Sequence, residues 1–182
     1  GLVGESGSGK SSICAALMRL LPSGGSLRAD AIEFNGCDLA KLNERAMRSV
    51  RGRHLALVPQ KPMTSLSPTT PIGRQLRWHL GELMDRPETE QMLGSIGLRA
   101  VLDRPRDLPF RFSGGQLQRL LIAIAALTYR PELLLADEPT TTLDATVQAQ
   151  VLRLLLKLKD EVGSSILYVP HDLAVIAQVS DR

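Results

Sequence analysis

The eight residues Gly4-Glu5-Ser6-Gly7-Ser8-Gly9-Lys10-Ser11 constrain this chain more than any other stretch. They fit the pattern G-x-x-x-x-G-K-[ST], whose glycines let the backbone curl until successive N–H groups point inward at a phosphate chain. Such a loop belongs between a strand and a helix, because the following helix N-terminus adds its positive dipole end to the cradle. Gly1-Leu2-Val3 reads as the end of a strand. Ile13, Leu17, Leu20 and Leu21 give residues 10–21 one apolar helical face, and Pro22 with Gly24-Gly25 stops it. In this reading residues Gly4 to Ser11, with Ser12 beside them, bind nucleotide phosphates. Lys10 reaches the β- and γ-phosphates as a mobile charge, and the Ser11 hydroxyl is a Mg²⁺ ligand. A glycine-serine linker is the competing explanation, and the strand and helix on either side argue against it.

The chain reads as a fragment cut at both ends. No initiator Met and no full strand precede the loop, and the sequence stops at Asp181-Arg182 just after a helical pattern begins. Between these points, Ala31 to Phe34 reads as a strand ending in the turn pair Asn35-Gly36, and Leu55 to Val58 as a short strand closed by Pro59. Residues 61–128 carry helical patterns and little strand, with Leu117, Leu120, Leu121, Ile124 and Thr128 on one face of a helix. Glu132 to Ala136 and Ser165 to Val169 read as buried strands. Between them Asp144 caps a helix with apolar positions Val147, Val151, Leu154, Leu155, Leu158 and Val162, which Gly163 ends. Strands alternate with helices in both outer parts, so the expected fold is α/β: a parallel sheet flanked by helices, with an inserted α-helical subdomain. The expected division is a core of residues 1–60 and 129–182 and a helical subdomain of 61–128.

Composition narrows the partners. The 182 residues are 43% hydrophobic and 23% charged, as in ordinary globular chains. Aromatic residues make up 3% and the net charge is +3, a poor supply of stacking platforms and of positive potential, so no nucleic-acid partner is expected. The longest uninterrupted apolar run, Leu120 to Leu127, is far short of the ~20 residues that span a bilayer. Cys14 and Cys37 lack metal-ligand spacing and fit a reducing compartment, with Cys14 expected to be buried and Cys37 in a loop.

Two further stretches carry chemistry. Leu133-Leu134-Leu135-Ala136-Asp137-Glu138 places two carboxylates at the C-terminal end of an apolar strand, where open α/β sheets bind ligands. Asp137 is expected to hold Mg²⁺, directly or through water. Glu138 is placed as the general base beside a water aimed at the γ-phosphate. Ser113-Gly114-Gly115-Gln116 opens a helix, and a serine cap with two glycines and no nearby acid forms either a second anion-binding N-terminus or a plain helix cap.

Ser-Gly-Gly-Gln between a phosphate loop and an Asp-Glu strand resembles the signature of the ATP-binding-cassette (ABC) ATPases, which are P-loop NTPases. Gln60 after a strand, Asp144 in Thr142-Leu143-Asp144 and His171 after the last strand match in the same order, so the resemblance covers essentially the whole chain. It implies ATP and Mg²⁺ as ligands and a head-to-tail dimer with a second, identical or related ATPase subunit. Each ATP then lies between the phosphate loop of one subunit and the signature of the other. Carried over by position, Gln60 senses Mg²⁺ and the attacking water, and Ser113 and Gly115 meet the partner's γ-phosphate, with Gly114 and Gln116 beside them. Asp144 lies at the dimer seam and His171 contacts the γ-phosphate.

A narrower likeness adds a transport role. Pro62-Met63-Thr64-Ser65-Leu66-Ser67-Pro68, Gly73-Arg74-Gln75 and the run Thr146 to Leu152 are similar to importers of dipeptides, oligopeptides and nickel. That implies transmembrane permease subunits, an external solute-binding protein acting indirectly, and a peripheral place on the cytoplasmic face of the inner membrane. The alternative is an ABC-type ATPase subunit of a soluble metabolic complex, such as phosphonate breakdown machinery. Two positions depart from the family pattern: Leu117, where a basic residue is more usual, and Pro170, where Thr is.

Overall fold

A computed structural model describes residues 1–5, 7–141, 143–170, 176 and 180. The phosphate loop runs into helix α1 (Lys10–Leu17), whose N-cap Gly9 sits at φ 93, a conformation that costs a side chain dearly and a glycine nothing. The buried face of α1 differs from the expected one. Cys14 and Met18 are 1% and 5% exposed, whereas Ile13 and Leu20 are 45% and 52% exposed. Lys10 is turned inward by bonds to the loop, so the residues four and eight positions on follow it against the sheet. The helix also ends at Leu17, before Leu20 and Leu21 can extend its face. Both cysteines are free. Cys14 is buried, and burial, reinforced by Asp137, pushes its thiol up to about 11.

Asn35 and Gly36, at φ 49 and 73, join strands β1 (Glu33–Phe34) and β2 (Cys37–Asp38) into an antiparallel hairpin, so exposed Cys37 sits in a strand rather than a loop. The first strand is shorter than its sequence pattern. The Ile32 amide donates to the Asp38 carboxylate (3.0 Å) instead of to a ladder carbonyl. Helix α2 (Glu44–Val50), capped by the Asn43 side chain, leads to strand β3 (Leu55–Val58), whose bounds match the sequence reading.

Residues 61–128 form no strand among those described. They hold α3 (Pro62–Ser65), α4 (Ile72–Leu80), α5 (Pro87–Leu93), α6 (Arg99–Asp103) and α7 (Gly114–Leu127). Helix α7 was expected to bury one face; it is enclosed on nearly all sides. Gln118, Arg119, Ile122, Ala123 and Ala126 are buried along with Leu117 and Leu120. The helix lies among α3, α4, β3 and the later α8 (Ala145–Val162), so its own periodicity could not reveal a solvent side. Burial of Leu117 in this core accounts for an apolar residue there.

Strands β4 (Leu133–Asp137) and β5 (Ser165–Val169) complete a parallel sheet of order β3-β4-β5, with Leu55 opposite Leu133 and Leu133 opposite Ser165. The Leu2 amide donates to the Tyr168 carbonyl (2.8 Å), setting the chain start beside β5. One face of the sheet packs Leu55, Leu135 and Val169 on Cys14, Met18 and Met47. The other packs Ala56, Leu134 and Ala136 on α7 and α8, and this core continues to Ile72 and Leu76 of α4 and Leu93 of α5. Asp144 caps α8 by accepting from the Val147 amide (3.0 Å), and Gly163 at φ 76 ends it, as expected. Parallel pairing brings the C-terminal ends of all three strands to one edge.

Candidate functional site

Four stretches distant in sequence meet at that edge. The Lys10 ammonium, on a side chain 8% exposed, donates to the carbonyls of Gly4 (2.9 Å) and Glu5 (2.8 Å), so it lies inside its own loop. The loop is tightly wound: a Cβ on Gly4 would stand 2.6 Å from the Ser8 hydroxyl, and Gly7 sits at φ 81. Ser6 of the loop lies outside the described residues. Ser11, on the first turn of α1, donates from its hydroxyl to Asp137 Oδ1 at the end of β4 (2.9 Å). Ser12 is exposed beside it.

The Asp137 carboxyl is raised above its ordinary pKa. Burial is the main cause; the Ser11 hydrogen bond pulls it back, neighbouring Glu138 raises it, and Lys10 lowers it. A partly desolvated carboxylate beside a hydroxyl oxygen is short of positive charge, and both are hard oxygen donors. The pair therefore fits Mg²⁺, which is held by one or two protein oxygens plus substrate phosphates.

Glu138 follows directly and has an unusual backbone. Its φ is 43, in the left-handed region, and Pro139 comes next. A non-glycine residue there stores about 1–3 kcal/mol and persists only where its surroundings hold it. The Glu138 amide donates to the Val169 carbonyl (2.9 Å), continuing the β4–β5 pairing. Its Oε2 accepts from Gln60 Nε2 (2.9 Å) and from the Thr141 hydroxyl (2.9 Å). Gln60 thus reaches across from the end of β3.

Two of these contacts have no counterpart in the sequence reading. Thr141 stands three residues after Glu138, at the reach of an i→i+3 turn, and that spacing is the signal that could have found it. Gln118 of α7 donates to the Pro59 carbonyl (3.3 Å), steadying the peptide before Gln60, and nothing local to Gln118 announces it.

Ser113-Gly114-Gly115-Gln116 stands apart from this cluster. Among the described residues its side-chain hydrogen bonds are internal: the Gln116 amide donates to the Ser113 hydroxyl (3.2 Å) and the Ser113 amide to Gln116 Oε1 (2.9 Å), a reciprocal capping box. The amides of Gly114 and Gly115, first and second in the helix, have no partner within it. Asp144 is exposed. His171 lies outside the described residues.

Gly115 has a packing role of its own. A Cβ there would meet Val147 Cγ1 at 2.5 Å, where α7 starts against the first turn of α8. A valine cannot swing away freely, so Gly115→Ala is expected to destabilise the fold by about 1–3 kcal/mol. Thermal unfolding of Gly115→Ala with and without Val147→Ala checks this: the second substitution recovers part of the loss.

Comparison with known proteins agrees with this geometry. A sequence model of the family described as ABC transporter matches residues 1–141. The probable peptide ABC transporter ATP-binding protein y4tR of Sinorhizobium fredii is 43% identical across 100% of this chain, which covers 56% of that protein. The peptidoglycan transport ATP-binding protein YejF of Agrobacterium fabrum is 44% identical, over 100% of this chain and 34% of its own length. The oligopeptide transport ATP-binding protein OppD of Bacillus subtilis is 41% identical, over 100% and 52%. The chain therefore spans about half the length, or less, of the curated relatives it matches. Among solved structures, the ATP-binding cassette MJ0796, a dimer in a post-hydrolysis state bound to ADP and Pi, superposes with a TM-score of 0.69 at 26% identity, covering 94% of this chain and 74% of that one. With the family model spanning the phosphate loop, Gln60, the Ser113–Gln116 cap and the Asp137-Glu138 pair, the chain belongs to the ABC transporter family.

Proposed function

We propose that this chain is the ATP-binding and ATP-hydrolysing part of an ABC importer subunit that energises peptide uptake. The observation that carries the reading is the joining of Ser11 to Asp137 and Gln60 to Glu138, each at 2.9 Å, at one edge of the sheet. In this reading Lys10 leaves the Gly4 and Glu5 carbonyls for the β- and γ-phosphates. Ser11 and Asp137 hold Mg²⁺, which neutralises phosphate charge when bound. Gln60 stands beside that site, its amide on Glu138, where it senses Mg²⁺ and the attacking water. Glu138 takes the proton of that water, Gln60 and Thr141 holding Oε2 and so aiming the carboxylate. His171 serves as the γ-phosphate contact.

The proposed division places nucleotide binding in residues 1–60 and 129–182 and the signature in 61–128. The capping box of Ser113 and Gln116 is closed on itself and makes no hydrogen bond to the described residues of the phosphate loop, which suits a signature that serves another subunit's ATP. The partner is a second ABC ATPase subunit, with Asp144 at the seam. Two of the cited relatives' names point to peptides and the third to peptidoglycan; none of the three names nickel or a soluble metabolic complex. Transmembrane permease subunits are the further partners, with a solute-binding protein acting indirectly from outside. Exposed Met63 and Trp78 lie in the helical stretch after Gln60, where the permease is proposed to dock. The place proposed is the cytoplasmic face of the inner membrane. No helix among the described residues is long and apolar enough to cross a membrane.

A mixed dimer of full-length chains tests the shared site. Lys10→Ala damages the site holding that chain's own phosphate loop, and Ser113→Arg damages the site across the dimer. Each homodimer has two damaged sites; the mixed dimer gathers both defects in one and leaves the other intact. Nucleotide trapping is expected to recover in the mixed dimer, assembled with the permease where pairing needs it. Absence of recovery in a verified mixed dimer would count against the shared site, the result also expected if Ser113 were a helix cap alone.

A further inference from the structure

A cavity of about 340 Å³ uses none of the residues assigned to nucleotide. It lies between α7, α8 and the turn Gly94–Leu98 that joins α5 to α6, where Gly97 at φ 78 breaks the helical path. Arg119, Arg153 and Lys157 line it together with Ser95, Gly97 and Gln150, and no carboxylate of a described residue lines it. Gln150, Arg153 and Lys157 recur at spacings of three and four along α8 and so share one face.

Arg119 is the unusual member. It is 9% exposed, and among the described residues its guanidinium makes one hydrogen bond, Nη1 to Gln150 Oε1 (2.7 Å). Among the described residues its Nε is shielded and has no acceptor, and no ion pair involves it. The Gly97 backbone passes so close that a Cβ there would lie 3.5 Å from Arg119 Nη2. A buried cation compensated by one neutral amide is costly unless an anion stands nearby. Lys157 does not relieve it. Its ammonium donates to the Ser95 hydroxyl (3.2 Å) and pairs loosely with Glu161 (3.7 Å) a turn further along α8.

We propose that this cavity binds a small phosphate-bearing anion, with Arg153 and Lys157 contacting its oxygens and Arg119 supplying the buried positive charge behind them. Guanidinium groups match phosphate oxygens in geometry, and three cations facing one space suit a doubly charged anion better than a single carboxylate. The volume exceeds what free phosphate needs and is within the range of small-molecule pockets, so free phosphate and a phosphomonoester of a small metabolite share the required chemistry.

Calorimetry on the full-length protein tests this, with Lys10→Ala as background so that the phosphate loop does not compete. Inorganic phosphate and ribose 5-phosphate are the probes. Either or both are expected to bind, and Arg153→Gln with Lys157→Gln is expected to weaken that binding about tenfold or more. Both residues are exposed, and circular dichroism checks that the fold is kept. Tighter binding of ribose 5-phosphate than of phosphate would identify the occupant as a phosphomonoester, and equal or weaker binding as free phosphate. Binding of neither probe, or binding unchanged by the double substitution, would overturn the proposal.

Discussion

Glu138→Gln in the full-length protein is expected to lower ATP turnover by about 10²–10⁴, the usual cost of removing a positioned general base, while ATP stays bound. The structure makes the substitution conservative in shape. Glu138 Oε2 accepts from both Gln60 and Thr141, and a glutamine carbonyl oxygen can take both bonds in its place. The amide nitrogen then occupies the other position, where it can donate a hydrogen bond but not accept a proton. Single-turnover hydrolysis reads the rate, and a sizing column reads whether an ATP-bound dimer accumulates. Hydrolysis at the parent rate would remove Glu138 from the role of base and return attention to Gln60 and His171.

Lys10→Ala is expected to weaken ATP binding on the order of a hundredfold, because each charge-assisted bond to a phosphate oxygen contributes about 1.5–3 kcal/mol. Adenosine, which has no phosphate, should bind almost as before. The contrast matters because Lys10 also holds two loop carbonyls and is largely buried, so its loss could loosen the loop itself. Calorimetry with both ligands separates the two effects. Equal losses for ATP and adenosine would mean a damaged fold, whereas loss for ATP alone would mean a missing phosphate contact.

Much of the candidate site is legible in one dimension because the chemistry proposed for it is written in contiguous words. The phosphate loop, the Asp137-Glu138 pair and the Ser113–Gln116 cap are each complete within eight residues. How they meet could not be read so. The bonds from Ser11 to Asp137 and from Gln60 to Glu138 span 126 and 78 residues. They follow from the order β3-β4-β5, which aligns the strand ends. Thr141 as a second holder of Glu138 is local by contrast, three residues on in the turn that Glu138 enters at φ 43.

The sequence by itself determined what depends on near neighbours. The positive φ of Asn35 and Gly36 makes a hairpin turn, the Asp144 carboxylate caps α8, Gly163 stops it, and the apolar runs of β3 and β5 end at the residues their patterns suggest. These choices are decided by sterics and hydrogen bonds over a few residues, so they survive without a partner. The tertiary structure alone decided which sides of the helices are covered. Helix α1 buries Cys14 and Met18 in place of the Ile13 and Leu20 stripe, and α7 is enclosed nearly all round, taking Gln118 and Arg119 inside. Burial depends on what the rest of the chain brings alongside. A polar residue inside α7 carries no local mark of the carbonyl it will serve at Pro59 or of the cationic cavity it will line.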